Sequence, residues 1–507
     1  MLSLLLLLTS LFIPHNRPNV ILILADDLGA KELGCYGNAE HLTPNLDRLA
    51  ADGTRFETFY AMPLCTPTRV ALMTGQYGFH NGFLGMQNPA FKPAPDSPKA
   101  DIASHFTHAD LLKQAGYATA MAGKWQLSGK LPDLVHNTGF DEYRMWAYDH
   151  NLPPGIKHPA HENGGNASRY WHPSILENGR YFPTQPNDYG PDLFNQFVID
   201  FAIRKRSEPF FIYYTSPLTH GPHLQTPDPN NPGQKLPAGF KSNLEYLDVT
   251  IGRLLNALHN AGLDNNTYVI FIGDNGTAGS GKGTLTELGA RVPCIIRGPG
   301  VLKGHVSMAP ADLTDILPTL ADAAQITLPA NIPFDGHSLL PVLTGKATSH
   351  REWIYSHLDD GRILRDSRWL LEIDKHSHNE RFYDCGQNRN GDNYQLIDTT
   401  NPNIHPEAAA ARQRFQQILD QLPTPTPNPN PDPSANSKPK TKTKPNAPSN
   451  PNTRFNSRDQ NKNGSLDPEE FLNTASNPDP TAAKTRFQKL DANQDGKITL
   501  EEFQQGL

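Results

Sequence analysis

The order of apolar and polar positions divides the chain before any single residue is considered. Four dense apolar runs occur at Asn19 to Ala25, Ala118 to Gly123, Pro209 to Tyr214 and Tyr268 to Gly273. Short unbroken runs of this kind read as strands buried on both faces. Helical patterns lie between them, the clearest having Leu244, Leu247, Ile251, Leu254, Leu255 and Leu258 at three- and four-residue steps, with Gly262 placed to cap its C-terminal end. The alternation predicts an α/β fold with a central, mostly parallel sheet and helices on both faces. From about residue 325 the segments shorten. They include Arg368 to Ile373 and a helical pattern from Pro406 to Leu419, which predicts a smaller α+β C-terminal subdomain.

Polar residues cluster where the apolar runs stop. The first run ends in Asp26-Asp27, the second in Lys124, the third near His220 and the fourth in Asp274-Asn275. Ligand sites of open α/β sheets gather at the carboxyl ends of strands, so four separated clusters are expected on one rim.

Residues 423–453 contain ten prolines, which remove backbone donors and fix φ, so neither helix nor sheet propagates there. The expected organisation is a leader at 1–16, a main domain at 17–325, its C-terminal subdomain at 326–422, a Pro-rich linker at 423–453 and a small polar module at 454–507. The apolar run Leu2 to Ile13 is too short for a membrane-spanning helix and suits the core of a secretory signal, so export to a periplasmic, cell-surface or secreted location is expected. No Lys or Arg precedes the run, and no small-x-small site precedes Arg17, which leaves an uncleaved N-terminal anchor as the alternative.

Charge narrows the partners. The 507 residues carry 45 Lys+Arg against 52 Asp+Glu, a formal charge of −7. The one basic run, Lys438 to Lys444, lies inside the Pro-rich stretch, so a general nucleic-acid binder is excluded. Four cysteines are too few for a disulfide scaffold. Cys35 reads as packing, and Cys294 and Cys385 as core thiols or a disulfide.

Asp26, Asp27, Asp274 and Asn275 offer oxygen donors without thiolates or imidazoles beside them, a set suited to Ca²⁺ or Mg²⁺ rather than zinc. The alternative is a pair of ordinary loop-capping clusters. Cys65-Thr66-Pro67-Thr68-Arg69 is sharper: Pro67 suits a first helical turn, and Val70 to Met73 continues the helix. Cys65 is thereby expected near a helix N-terminus, among amides that favour an anion. An inert buried cysteine is the competing reading.

With these motifs in the order NVILILADD, CTPTRVALMTG, AGKWQ, THGPH, DNG and GKGTLTE, the chain over residues 17–422 resembles the formylglycine-dependent sulfatases of the alkaline-phosphatase-like superfamily. The resemblance implies that a maturation enzyme converts Cys65 to formylglycine. Hydration of that aldehyde gives one hydroxyl for attack on sulfur and a second that expels sulfate by reforming the carbonyl. It implies Ca²⁺ held by Asp26, Asp27, Asp274 and Asn275 beside position 65, with Arg69 orienting the hydrate. Lys124 and Lys282 match the two lysines on the sulfate side, and His220 matches the histidine near the leaving-group oxygen. His223 is either substrate-facing or structural. Where the family commonly carries a histidine this chain has Gln126, which hydrogen-bonds but takes no proton. Glu287-Leu288-Gly289 stands where Glu-Gly-Gly is frequent, and Thr68 stands in place of Ser.

The last module carries its own chemistry. Asp459, Asn461, Asn463, Ser465 and Glu470, with Gly464 at the turn, have the spacing of a twelve-residue EF-hand loop, and Asp491, Asn493, Asp495, Lys497 and Glu502 repeat it around Gly496. Two such loops predict a Ca²⁺-folded pair, with Leu466 and Ile498 meeting between them. A tethered, Ca²⁺-folded module without catalytic work is expected, structural or for cell-surface attachment, against a degenerate appendage. Residues 141–192 read as an inserted loop rich in aromatics, including Trp146, Tyr148, Tyr170, Trp171 and Tyr181. These either pack against sugar rings or close a loop core. The leading expectation is a sulfatase acting on a sulfated carbohydrate. A phosphoesterase or phosphonate hydrolase of the same superfamily, and a noncatalytic Ca²⁺-dependent polysaccharide-binding protein, are the rivals.

Overall fold

The structure, a computed structural model, describes residues 17–86, 102–127, 135–148, 152, 155–158 and 165–423 apart from 376, 387–393 and 402, together with parts of 463–502. The leader 1–16, nearly all of the linker 423–453, and Asp459, Asn461 and Glu470 lie outside the described residues. The chain divides into two compact units, 1–429 and 430–507.

In the first unit, five strands run parallel at the centre of a ten-stranded sheet, in the order Thr267–Gly273, Asn19–Ala25, Phe210–Ser216, Ala118–Gly123, Glu142–Trp146. The antiparallel strand Cys294–Arg297 adds to one side, and Ile175–Glu177 followed by Arg180–Phe182 add to the other. Every residue of Asn19–Ala25 is buried. Side chains of a strand alternate between faces, and here both faces find a core. Val20, Leu22 and Leu24 join Val70, Leu72, Met73, Leu112 and Leu320, while Ile21 and Ile23 join Phe194, Val198, Leu247, Ile251 and Leu254. The first group sits under helices Cys65–Thr74, His108–Gln114 and Ile316–Ala324, and the second under Gly190–Arg204 and Phe240–Asn260. This is the parallel sheet between two helical layers expected from the alternating runs, and it agrees with the alkaline-phosphatase-like fold that the motif resemblance implies. Gly262, just beyond the last of these helices, takes φ +70 as a C-terminal cap residue.

Register decides where the polar ends arrive. Ala25 pairs with Gly273 on one side and Ser216 on the other, and Gly123 pairs with Thr215. Asp26, Asp274 and Lys124 therefore leave the sheet at nearly one level. Gly123 has φ +102, and a Cβ there would lie 2.0 Å from the Thr215 carbonyl oxygen. Only glycine lets the chain turn Lys124 inward at that point.

The segment before the linker forms an antiparallel five-stranded sheet in sequence order, Trp353–Leu358, Gly361–Asp366, Trp369–Ile373, Glu380–Asp384 and Gln395–Ile397. Helix Pro406–Gln421 covers it through Ala408, Ala411, Phe415 and Leu419, in a core shared with Met62, Ala71 and Tyr77. In the second unit, Ser465–Leu466 pairs with Ile498–Thr499, with Leu466 opposite Ile498. Both are fully buried, against Phe487 and Leu490.

Two readings change. Residues 141–192 are not one inserted loop, because three of their segments complete the sheet edge. Trp146 and Tyr170 are buried in the core and are not presented to a sugar; Trp171 and Tyr181 remain half-buried. Cys294 and Cys385 are buried and form no disulfide with each other, which decides between the two alternatives left by the sequence.

His108 is fully buried against Phe140, Phe211 and Tyr213, and neither ring nitrogen has a hydrogen-bond partner. Burial pushes its pKa down to about 3, whereas the unfolded chain protonates it near 6.5. A depressed value means that the unfolded state binds the extra proton, so stability is complete above about pH 6.5 and is lost as pH falls toward 3, by up to ~1.4 kcal/mol per pH unit. His108→Leu is expected to make this acid limb shallower in urea titrations between pH 6.5 and 4, with no loss at pH 7. An unchanged slope would contradict the assignment.

Candidate active site

Cys65 opens helix Cys65–Thr74, and Arg69 lies one turn on, so the CxPxR spacing sets both on one helical face. The helix is buried along its whole length. Arg69 uses that position to reach across the sheet rim: one Nη atom donates to the Lys124 carbonyl oxygen at 2.9 Å and the other to Asp274 Oδ2 at 2.9 Å. The Sγ of Cys65 and carboxylate oxygens of Asp26 and Asp274 lie within 4.8 Å of one another.

Asp26 is the most heavily compensated acid. Lys124 Nζ donates to both of its oxygens at 2.7 Å, Arg169 donates to Oδ2 at 3.0 Å, and Arg69 approaches Oδ1 at 3.5 Å. Burial pushes this carboxyl up, but Lys124, His220, Arg69 and Arg169 outweigh it and hold Asp26 well below the usual carboxylate range. Asp274 receives less help. Burial and the charge of Asp26 raise it to about 7, against the pull of Arg69 and Lys124. Asp27 Oδ1 accepts from Asn275 Nδ2 at 2.9 Å, and Lys282 Nζ lies 2.6 Å from the same oxygen. The Asp27 amide donates to Asp274 Oδ1 at 2.8 Å. Thus Arg69, Lys124, Arg169 and Lys282 surround Asp26, Asp27 and Asp274. Lys282 and His220 keep the greatest side-chain exposure, 19% and 16%, and so mark the mouth of the site.

The oxygen donors fit a hard cation. Asn275 turns Nδ2 toward Asp27 and the Gly276 carbonyl oxygen, leaving Oδ1 buried without a hydrogen-bond donor. A buried carbonyl oxygen in that condition beside three carboxylates suits Ca²⁺ better than any protein donor at hand. The Asn275 loop is fixed by close backbone packing: a Cβ on Gly276 would lie 1.9 Å from the Leu288 carbonyl oxygen. Leu288 itself points outward and is exposed.

The structure brings Cys65, Arg69, Lys124, His220, Lys282, Asp26, Asp27, Asp274 and Asn275 together, and modifies three expectations. The Cys65 thiol is not activated by its helix terminus, because full burial, reinforced by Asp274 and Asp26, raises its pKa despite Lys124 and Lys282. His220 Nδ1 lies 2.6 Å from the Gly221 carbonyl oxygen, which only accepts, so the proton sits on Nδ1 and Nε2 carries the lone pair. Burial lowers this imidazole to about 4, leaving a neutral acceptor rather than a ready acid. His223 lies outside the carboxylate cluster, bonded to the Thr219 carbonyl oxygen at 2.9 Å with its ring against Phe240.

Gln126 is buried with φ +54, and Asp27 has φ +59, a left-handed backbone sparsely used by residues bearing a Cβ. Gln126 Oε1 has no hydrogen-bond partner, and Nε2 lies 3.8 Å from Met86 Sδ. Arg169 is the residue that sequence reasoning missed. It stacks on Trp146 with its guanidinium carbon 4.0 Å from the ring centre, in a loop with no motif of its own. The neighbouring Tyr170 hydroxyl donates to the carbonyl oxygens of Pro217 and His220, tying that loop to the one bearing His220. In the tail, Asp491 accepts from the amides of Asp495 and Gly496, Asn493 from Asp495, and Glu502 from Thr499, while Asn463 accepts from Ser465. The Asp495 carboxylate accepts from the Lys497 amide at 2.9 Å.

A parallel sheet whose rim gathers a cation-ringed carboxylate cluster around a buried, helix-borne cysteine is suited to an anionic ester. The sulfatase family model matches residues 18–326, and the chain belongs to the sulfatase family; it is a sulfuric ester hydrolase. It is 35% identical over 383 residues to arylsulfatase A of Homo sapiens, covering 70% of this chain and 73% of that protein. It is 33% identical over 355 residues to N-acetylgalactosamine-6-sulfatase of Rattus norvegicus, covering 64% and 66%. A structure from work on glycosaminoglycan metabolism by Bacteroides thetaiotaomicron superposes with a TM-score of 0.64 at 24% identity, over 81% of this chain and all of that one. An EF-hand domain pair matches residues 452–507.

Arg169→Ala is expected to lower stability by about 2–3 kcal/mol in urea unfolding, the low end for a broken buried pair because Lys124 and Arg69 still face Asp26. Arg169→Lys should recover part of the loss. A neutral Arg169→Ala would show that Asp26 does not depend on it.

Proposed function

We propose that the protein is an exported sulfatase acting on sulfated carbohydrate, with formylglycine formed from Cys65 by a maturation enzyme and Ca²⁺ held by Asp26, Asp27, Asp274 and Asn275. The observation that carries this reading is the buried proximity of Cys65 Sγ to Asp26 and Asp274, beside an Asn275 oxygen that lacks a donor. The carbohydrate follows from the N-acetylgalactosamine-6-sulfatase relative, an inference from similarity. When present, formylglycine supplies a hydrated carbonyl as nucleophile and Ca²⁺ supplies Lewis acidity for a negative oxygen.

This chain's own residues do the rest. Lys124 and Lys282 hold ammonium groups at the carboxylates, where they can also face the equatorial oxygens of a sulfate and balance the charge that grows on them. Arg69 binds the Lys124 carbonyl oxygen and Asp274 at once, which fixes the helix turn that carries position 65. His220 presents Nε2 at the mouth, 3.8 Å from Asp27 Oδ2. To protonate a departing alkoxide it must first gain a proton, and the negative charge of a bound sulfate ester favours that gain. Gln126, unable to titrate, offers its free Oε1 as an acceptor. In the tail, Asp459, Asn461, Asn463, Ser465 and Glu470 would hold one Ca²⁺, and Asp491, Asn493, Asp495, Lys497 (through its backbone carbonyl) and Glu502 another. We assign that module to cell-surface attachment rather than to catalysis. Among the described residues no helix is long and apolar enough to cross a membrane.

The direct test expresses the chain with a formylglycine-generating enzyme and weighs the peptide containing Cys65. The expected result is exchange of the thiol for an aldehyde, together with sulfate release from sulfated saccharides. An unmodified thiol in every competent host would remove the nucleophile. Asp274→Ala is expected to cut sulfate release by at least ~10²–10³-fold and to lower bound calcium per chain while the tail's share remains. Retained calcium content would take Asp274 out of the metal site.

A further inference from the structure

Beyond the catalytic cluster, the loop bearing His220 continues into a small structure that catalysis does not use. Two consecutive residues clamp it: Tyr170 at Pro217 and His220, and Trp171, whose Nε1 donates to the Gln225 carbonyl oxygen at 2.7 Å. The chain then forms the hairpin of Thr226–Pro227 and Lys235–Leu236. The hairpin brings Lys235 Nζ to 3.7 Å from the centre of the Trp171 ring. Tyr189 supports the same indole, with ring centroids 4.8 Å apart. Lys235 is exposed and Trp171 half-buried, and among the described residues no carboxylate pairs with Lys235. Asp228, on the same hairpin, is engaged by Asn230 and Asn231. In a chain of charge −7, this ammonium is held in place by an aromatic face while its charge stays available.

We propose that Lys235 and Trp171 form a subsite for an anionic substituent, a sulfate or a carboxylate, on the sugar unit next to the one whose sulfate ester is cleaved. The proposal rests on the carbohydrate reading above and narrows it to polyanionic saccharides. Trp171 directly follows Tyr170, whose hydroxyl bonds the His220 carbonyl oxygen, so the subsite lies on the flank of the mouth that carries His220. Trp171 holds the ammonium in place, and Lys235 supplies a charge-assisted donor for the anionic substituent.

The test compares KM and kcat for three disaccharides that share the scissile sulfate: one with no second anion, one with a second sulfate and one with a uronic carboxylate. Wild type is expected to favour one or both anionic forms through KM. Lys235→Gln should reduce that preference about two- to fivefold, the scale of one charged contact at an exposed site, and Lys235→Arg should keep it. The two anionic arms tell sulfate from carboxylate. A preference that survives Lys235→Gln, or its absence from wild type, overturns the subsite alone. Hydrolysis of an aryl sulfate with none of the saccharides cleaved overturns the carbohydrate reading and the subsite with it.

Discussion

A carboxylate can remain charged in the interior only if cations arrive with it, and Asp26 sets this condition for the whole site. Its compensation comes from three separate places in the chain: the helix carrying Arg69, the strand end carrying Lys124 and the loop carrying Arg169. None can shift without exposing a buried charge of the opposite sign, a penalty of several kcal/mol. The shared register of the central strands satisfies the geometry, because it delivers Asp26, Lys124 and Asp274 to one level before any side chain is placed. Sheet and site are in this sense one construction.

Much of that construction was legible in the chain. Doubly buried parallel strands leave unbroken apolar runs, and each run stopped where a polar cluster began, so the convergence of Asp26, Lys124, His220 and Asp274 could be read from position alone. The spacing of Cys65 and Arg69 is helical arithmetic. What could not be read depends on contacts rather than order. Arg169 lies in a segment without motif or period, and its role exists only because Trp146 and Asp26 happen to flank it. The hydrogen bond from His220 to the Gly221 carbonyl oxygen fixes a tautomer that composition does not encode. The inserted aromatics were misread because a short strand at a sheet edge and a loop look alike when Gly, Pro and Asn are frequent on both sides.

The tail follows a different physical logic. Leu466, Phe487, Leu490 and Ile498 are a small core for such a module, and the Asp491 and Glu502 carboxylates fold back onto loop amides. Small domains with little apolar surface commonly draw stability from bound metal. The first unit, by contrast, is stabilised by its two apolar layers.

Cys65 is fully buried, and it opens a helix that is buried from end to end. On the proposed function, the enzyme that modifies Cys65 has to reach this segment before the sheet closes over it, so chemical conversion and chain collapse would compete in time. A polypeptide that folded first would stay well packed but inert, and specific activity from any source would then report the outcome of that race as much as the quality of the active site.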